Sequence, residues 1–233
     1  MKFALLLLIL ATTFSAHATI YIVAYDKATG AMGVAVSSSG PAFFDKSRMN
    51  NSIHGVGIAV AGGMGFCKKA TPLDFLEEGL TAKEVALRVA EQCDPVQPYY
   101  RLAVVTNNGD VYVHSGADGC NPDNIVCANL QGEGFGVTGG GLEEGVAEVA
   151  FESFKKQPTT IPLECRLFNT LDALYEAGGE IWRFKTAGIM VGYPGEEDFR
   201  TWQTTGRREH RFLARLQYKM QKDDVTCPGW EDL

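Results

Sequence analysis

Basic side chains are scarce in this chain. Lysine and arginine together number 21 against 28 aspartates and glutamates, which gives a formal net charge of -7 over 233 residues. Nucleic acids and anionic membrane surfaces select for clustered lysine and arginine. The charge balance therefore argues against nucleic acid as a partner and leaves small neutral or cationic substrates open.

Long apolar runs are absent beyond the N-terminus. The one such run, residues 3–11, is about half of the ~20 residues that a membrane-spanning helix needs. It follows Lys2 and precedes a small-residue segment that ends at Ala18, which is the pattern of a secretory signal peptide. We therefore expect residues 1–18 to be removed and the mature protein to be secreted or periplasmic, without a membrane span, and to begin at Thr19.

Several motifs of known chemistry are also missing. The sequence has no HExxH of the common zinc proteases, no GxSxG of the α/β-hydrolases, and no CxxC that would favour a zinc site. A GxGxxG pattern does occur from Gly134 to Gly139, but predicted antiparallel hairpins surround it instead of a βαβ unit. We therefore expect no metal and no cofactor.

Six cysteines lie beyond the predicted leader. An even number in an oxidising compartment predicts up to three disulfides. Cys120 and Cys127 lie seven positions apart in a loop rich in glycine, asparagine, proline and aspartate, so they are the favoured local pair. The other pairings remain open.

The hydrophobic pattern predicts strands and helices in alternating groups. The strands are predicted at 19–26, 32–37, 55–61, 101–106, 111–115, 135–138 and 186–192. The helices are predicted at 72–78, from the capping box Thr81–Glu84, at 143–155, and from about Leu163 to Gly178. This order predicts one α+β domain over 19–233, with two stacked antiparallel sheets covered by helices. Residues 201–233 are polar and basic, and we expect them to form a peripheral C-terminal tail.

Thr19 is the candidate nucleophile. A threonine hydroxyl is a weak nucleophile until a base removes its proton, and the α-amine of the same residue can do so when that residue is the first of the chain. An α-amine has a pKa near 7.7 to 8.0, so it titrates close to neutral pH. Leader removal ahead of a predicted core strand therefore indicates an N-terminal-nucleophile (Ntn) hydrolase.

The opening of the predicted mature chain resembles a known family. Its pattern comprises Thr19, the strand residues Ile22-Val23-Ala24, Asp26, the turn Thr29-Gly30, and Gly33-Val34-Ala35-Val36 with Ser37 or Ser38. On these residues the chain, from 19 to about 192, resembles the bacterial and archaeal Ntn-hydrolase-like family catalogued as domain of unknown function 1028. The resemblance implies a four-layer αββα sandwich and Thr19 as nucleophile.

Some polar positions of that family pattern are exchanged here. Ala61-Gly62 stands where the family usually has Thr-Gln, and Thr138-Gly139-Gly140 stands where it has Gln-Gly-Asn. These exchanges favour an alternative, a non-catalytic secreted binding protein on the same sandwich. An ester or lactone hydrolase with the same nucleophile is a further alternative.

The favoured hypothesis is a secreted hydrolase of a small-molecule or peptide-like amide, such as one derived from the cell wall. Thr19 Oγ attacks and its α-amine is the base. The backbone N–H groups of Gly139 and Gly140 stabilise the oxyanion. Ser37 or Ser38, on the predicted neighbouring strand, holds the amine by a hydrogen bond.

Overall fold

A computed structural model describes residues 19–39, 52–53, 55–62, 72–93, 100–116, 126–178, 185–205 and 210–230. The predicted leader, residues 1–18, lies outside this part of the chain. The strands are β1 Thr19–Asp26, β2 Ala31–Ser38, β3 Ser52–Ile53, β4 Gly57–Gly62, β5 Arg101–Thr106, β6 Val111–Ser115, β7 Val126–Gly132, β8 Phe135–Leu142, β9 Thr186–Gly192 and β10 Arg200–Thr205. The helices are α1 Pro72–Glu77, α2 Ala82–Cys93, α3 Val146–Lys156, α4 Leu163–Glu176 and α5 His210–Lys222.

The strands form two antiparallel sheets. The first has the order β10-β9-β2-β1-β8-β7, which places β1 in its interior, and the second has the order β3-β4-β5-β6. Helices lie between and after these strands along the chain, so the molecule has a mixed α+β fold, as predicted. None of the helices in the described ranges is long and apolar enough to cross a membrane.

Successive side chains of β1 belong alternately to two different hydrophobic clusters. Tyr21 and Val23 belong to a buried cluster that also contains Ala103 and Val105 of the second sheet. Ile20 and Ile22 point to the opposite face, where they join a cluster with residues of α3, α4 and α5. A third cluster packs α1 and α2 against the second sheet. Because side chains alternate with a period of two, one strand serves both faces of its sheet.

Two local predictions from the sequence are confirmed. At the capping box, the backbone N–H of Thr81 donates to Glu84 Oε2 at 2.9 Å, and that of Glu84 donates to Thr81 Oγ1 at 3.2 Å. Asn108-Gly109 joins β5 and β6 in a tight hairpin, where Gly109 has a φ of 87°. Both signals are local in sequence, so they need no knowledge of tertiary contacts.

The strand predicted at 135–138 is longer in the structure. β8 continues to Leu142 and lies between β1 and β7, and β7 itself was not predicted. The turn that follows places the start of α3 at Val146, three residues later than predicted. The cause is the glycine run at 139–141, which resembles a turn but is a sheet segment.

The C-terminal segment is more integrated than the predicted peripheral tail. β10 extends the first sheet by pairing with β9, and α5 follows it. Trp202, Leu216 and Met220 are buried in the cluster that contains α3 and α4. The high mean polarity of the segment concealed these apolar positions, since an amphipathic helix needs only one apolar face.

A disulfide joins this segment to the helices. Cys165 in α4 and Cys227 after α5 are bonded with Cα atoms 5.4 Å apart and a sequence separation of 62. Cys93 is also disulfide-bonded, and the described cysteines include no free thiol. The predicted pair Cys120–Cys127 lies outside the described residues because Cys120 does.

Replacing both Cys165 and Cys227 by alanine should lower the free energy of unfolding by about 2–4 kcal/mol, because a bridge over this separation restricts the unfolded chain. Urea unfolding followed by circular dichroism measures the change. Tyr218→Ala, at an exposed position of α5, is the control and should alter stability by about 0.5 kcal/mol or less. A double variant as stable as the parent would contradict the assignment of this bridge.

Candidate active site

Thr19 lies at the start of β1, and its side chain faces the second sheet. It is opposite Ser38 of β2 on one side and Gly140 of β8 on the other. The hydroxyls of Thr19 and Ser38 form a hydrogen bond with Oγ1 and Oγ 2.8 Å apart. Thr19 is 8% exposed. The register of three strands therefore fixes the surroundings of this hydroxyl.

The two predicted serines lie on opposite faces of β2. Ser38 shares a face with Thr19, whereas Ser37 faces α4 and bonds to the hydroxyl of Tyr175 at 2.6 Å. Ser37 also donates to the carbonyl of Thr186 at 3.1 Å. The structure thus brings Ser38 to Thr19 and separates Ser37 from it.

The two predicted glycines also point to different sides. A Cβ atom at Gly140 would lie 1.8 Å from Nη2 of Arg101, whereas one at Gly139 would meet Leu142 and Ile20 at 3.0 and 3.1 Å. Both glycines lie in β8 between β1 and β7, so their N–H groups lie within sheet ladders. Gly140 lies beside Thr19 and has no side chain, and a side chain from the second sheet occupies the space above it.

Arg101 occupies that space, and it was not among the site residues predicted from the sequence. It begins β5, on the face that continues as Ala103 and Val105, and is half-buried. Opposed Cβ atoms in an antiparallel pair are about 5 Å apart, so the guanidinium over Gly140 lies within about 7 Å of the Thr19 side chain. The only sequence signal was an arginine at the head of an apolar strand.

Arg101 carries a fixed positive charge at this position. Burial lowers the pKa of its guanidinium, while the neighbouring Tyr21 raises it. Because an arginine remains protonated over the whole range in which proteins are studied, the charge persists despite burial. Thr19 therefore has a cation beside it at neutral pH.

Further hydroxyl and amide groups lie near Thr19 and Ser38. Thr186 Oγ1 donates to the carbonyl of Ser38 at 3.1 Å. Thr138 Oγ1, one step along β8 on the same face as Gly140, donates to Asn129 Oδ1 at 2.6 Å, and Ser115 donates to the same oxygen at 3.1 Å. We call Thr19, Ser38, Arg101, Gly140 and Thr186 the Thr19 cluster.

The histidine of β6 lies away from Thr19. His114 is on the opposite face of the second sheet, with its ring 5.9 Å from that of Tyr100 and 6.5 Å from that of Tyr112. This is the environment of a structural histidine. Within the described ranges, no group of three or more histidine, cysteine, aspartate or glutamate side chains is arranged to hold a metal ion.

Comparisons with known proteins find a family and a fold. A family model described as "Family of unknown function (DUF1028)" matches residues 19–217. The crystal structure of protein SPO2555 from Silicibacter pomeroyi, a protein of the same family model, is 19% identical and aligns over 92% of each chain with a TM-score of 0.71. No curated protein matches the sequence. At this identity the structural likeness concerns the fold alone.

Gly140→Ala should lower the free energy of unfolding by about 1–3 kcal/mol, because the added Cβ overlaps the guanidinium of Arg101. The same substitution made together with Arg101→Ala should lower it by clearly less, since the overlapping atoms are gone. Urea unfolding of the parent, both single variants and the double variant gives the coupling energy. Equal costs of Gly140→Ala with and without Arg101 would contradict this contact.

Proposed function

Because the chain belongs to the DUF1028 family of unknown function, we propose that it is a secreted Ntn hydrolase that cleaves an amide bond with Thr19 as nucleophile. Removal of residues 1–18 exposes the α-amine in this proposal. The observation that carries it is the 2.8 Å hydrogen bond between the hydroxyls of Thr19 and Ser38. The family match also begins at Thr19.

The architecture proposed with this function is the four-layer αββα sandwich of Ntn hydrolases. Its support is the cluster shared by the two sheets together with one helix-containing cluster on the outer side of each. In such an arrangement the first residue of a central strand opens at one end of the space between the sheets. Thr19 and Ser38 have this position.

The proposed reaction proceeds through an acyl-enzyme. The neutral α-amine takes the hydroxyl proton as Thr19 Oγ bonds to the substrate carbonyl carbon, and the carbonyl π electrons move to oxygen. The C–N bond then breaks, and the amine proton passes to the leaving nitrogen. Water, deprotonated by the same amine, hydrolyses the ester on Thr19. Ser38 holds the hydroxyl of Thr19 in place for the attack.

Arg101 contributes electrostatics to both halves of this reaction. A cation beside the α-amine disfavours its protonated form, which lowers the pKa of the amine and increases the neutral fraction at pH 7. The same charge stabilises the oxyanion. We therefore assign charge stabilisation to Arg101, with Gly140 providing its space. The N–H groups of Gly139 and Gly140, which lie in sheet ladders, are less suited to that role.

The alternative is a non-catalytic binding protein on the same fold. The observation that favours it is the exchange of polar family positions for Ala61-Gly62 and Thr138-Gly139-Gly140 in this sequence. In that case the polar groups around Thr19 would serve to stabilise the end of the sandwich. Substitution of the two hydroxyl residues separates the two functions.

Thr19→Ala should abolish hydrolysis of a panel of peptide and N-acyl amides. Ser38→Ala should reduce kcat by about 10- to 100-fold, because the Thr19 hydroxyl loses its hydrogen bond to Ser38. Ser37→Ala is the matched control, since this serine is equally buried but faces α4. It should leave kcat within about twofold. N-terminal mass spectrometry first establishes that the secreted protein begins at Thr19.

Two results would refute the proposal. One is full activity in Thr19→Ala, and the other is activity in a variant with an extra residue before Thr19, in which the amine has become an amide. If the parent hydrolyses no amide or ester in the panel although Thr19 is its first residue, the binding protein becomes the preferred function.

The pH dependence tests the role of Arg101. Only the neutral amine accepts the proton, so kcat/KM should rise with pH through the pKa of the amine. Arg101→Gln removes the nearby cation, which raises the pKa of the amine, and should move the midpoint upward by about one unit. Arg101→Lys keeps the charge and should leave the midpoint near that of the parent. Unchanged midpoints in both variants would remove Arg101 from the mechanism.

A further inference from the structure

A cavity lies at the opposite end of β1 from Thr19. It has a volume of about 810 Å³. Asp26 lines the cavity and is the last of the eight residues of β1. At the usual rise per residue of a strand, the cavity therefore lies about 23 Å from Thr19. Its polar lining includes Asp26, Lys27, Asn108, Glu133, Thr159 and Arg166. The proposed hydrolase reaction uses none of these residues.

Arg166 is the unusual member of this lining. It extends from α4, is 7% exposed, and has its guanidinium 4.3 Å from the centre of the Phe154 ring. Its Nε atom is buried and has no hydrogen-bond partner among the described residues. A buried donor without an acceptor destabilises the folded state unless something else supplies one.

The nearest opposite charge is already engaged elsewhere. Asp26 accepts hydrogen bonds from the backbone N–H of Ala28 at 3.1 Å and from Thr29 Oγ1 at 2.8 Å. It therefore acts on Arg166 through space, raising the pKa of the guanidinium while burial lowers it. Arg166 is thus a buried cation in the cavity lining, and its Nε donor has no acceptor among the described residues.

The charged side chains of the cavity lining determine which kind of ligand the cavity can bind. Lys27 and Arg166 are balanced by Asp26 and Glu133, so the lining has no net charge. A dianion such as phosphate would meet two carboxylates in this space. A molecule with one carboxylate and one ammonium group can pair with both signs.

We propose that this cavity binds a free amino acid or a close zwitterionic analogue. Its carboxylate accepts hydrogen bonds from Arg166, and its ammonium group faces the carboxylate of Glu133. The aromatic ring of Phe154 holds the guanidinium plane, which leaves the edge of the fork for the ligand. This site is independent of the proposed chemistry at Thr19.

The test is a titration of the 15N-labelled secreted protein by NMR, with glycine, acetate, ethylammonium and inorganic phosphate as probes. Glycine should shift the amide signals of Ala28, Gly109 and Gly134 in a saturable way. Acetate should shift the same signals with weaker affinity, and ethylammonium should not compete. Arg166→Lys and Arg166→Met should each weaken glycine binding at least about tenfold, because the bidentate fork is lost.

Arg200→Gln is the matched control. Arg200 also lies over an aromatic ring, that of Tyr193 at 4.9 Å, but it is ion-paired with Glu196. This substitution should leave glycine binding unchanged.

Three outcomes would overturn the proposal: no saturable shift at the cavity amides in the parent, equal glycine affinity in the Arg166 variants, or phosphate binding tighter than glycine. Melting temperatures decide whether each variant is folded. Arg166→Met removes a buried cation and should melt no lower than Arg166→Lys, so at least one folded variant is expected.

Discussion

The central position of β1 is the constraint on which the rest of the structure depends. Antiparallel pairing with β2 and β8 fixes which residues lie opposite Thr19, and a shift of one residue would reverse every side chain in the strand. The buried residues on both faces make such a shift unfavourable, because Tyr21 and Val23 would exchange places with Ile20 and Ile22. The geometry of the candidate site is therefore a consequence of core packing.

The same strand separates two polar regions along its length. Thr19 and Asp26 are the first and last residues of β1, with six residues between them that are almost all buried. At one end Ser38 bonds to the Thr19 hydroxyl and Arg101 lies over the neighbouring Gly140, and at the other end Asp26 acts across space on Arg166. Each end contains an arginine from another element: the half-buried Arg101 of β5 and the buried Arg166 of α4. The polar character of each end therefore depends on how β5 and α4 pack against β1 and not on β1 alone.

The sequence predicted the local features of this fold and missed those that depend on distant contacts. The capping box of Thr81 and Glu84 and the Asn108-Gly109 hairpin depend on neighbours within a few positions, and both are confirmed. To choose between Ser37 and Ser38, one must know which face of β2 each serine lies on. All residues of β2 are buried, so its sequence pattern does not distinguish the two faces. Arg101 is far from Thr19 in the chain, and no local pattern connects them. β10 was missed because a polar edge strand has a weak apolar alternation.

The glycine pattern shows why such a motif is best interpreted together with its structural neighbours. Gly134 is in the turn between β7 and β8 with a φ of 70°, so the GxGxxG pattern spans a β-hairpin and not a strand-to-helix connection. Gly136 and Gly140 then lie on one face of β8, where Cβ atoms would come within 2.6 Å of Val113 and 1.8 Å of Arg101. Glycine at these two positions lets side chains of the second sheet approach the backbone of the first. Gly140, one residue beyond the repeat that resembles a phosphate-binding loop, is therefore what allows a charged side chain to approach the start of β1.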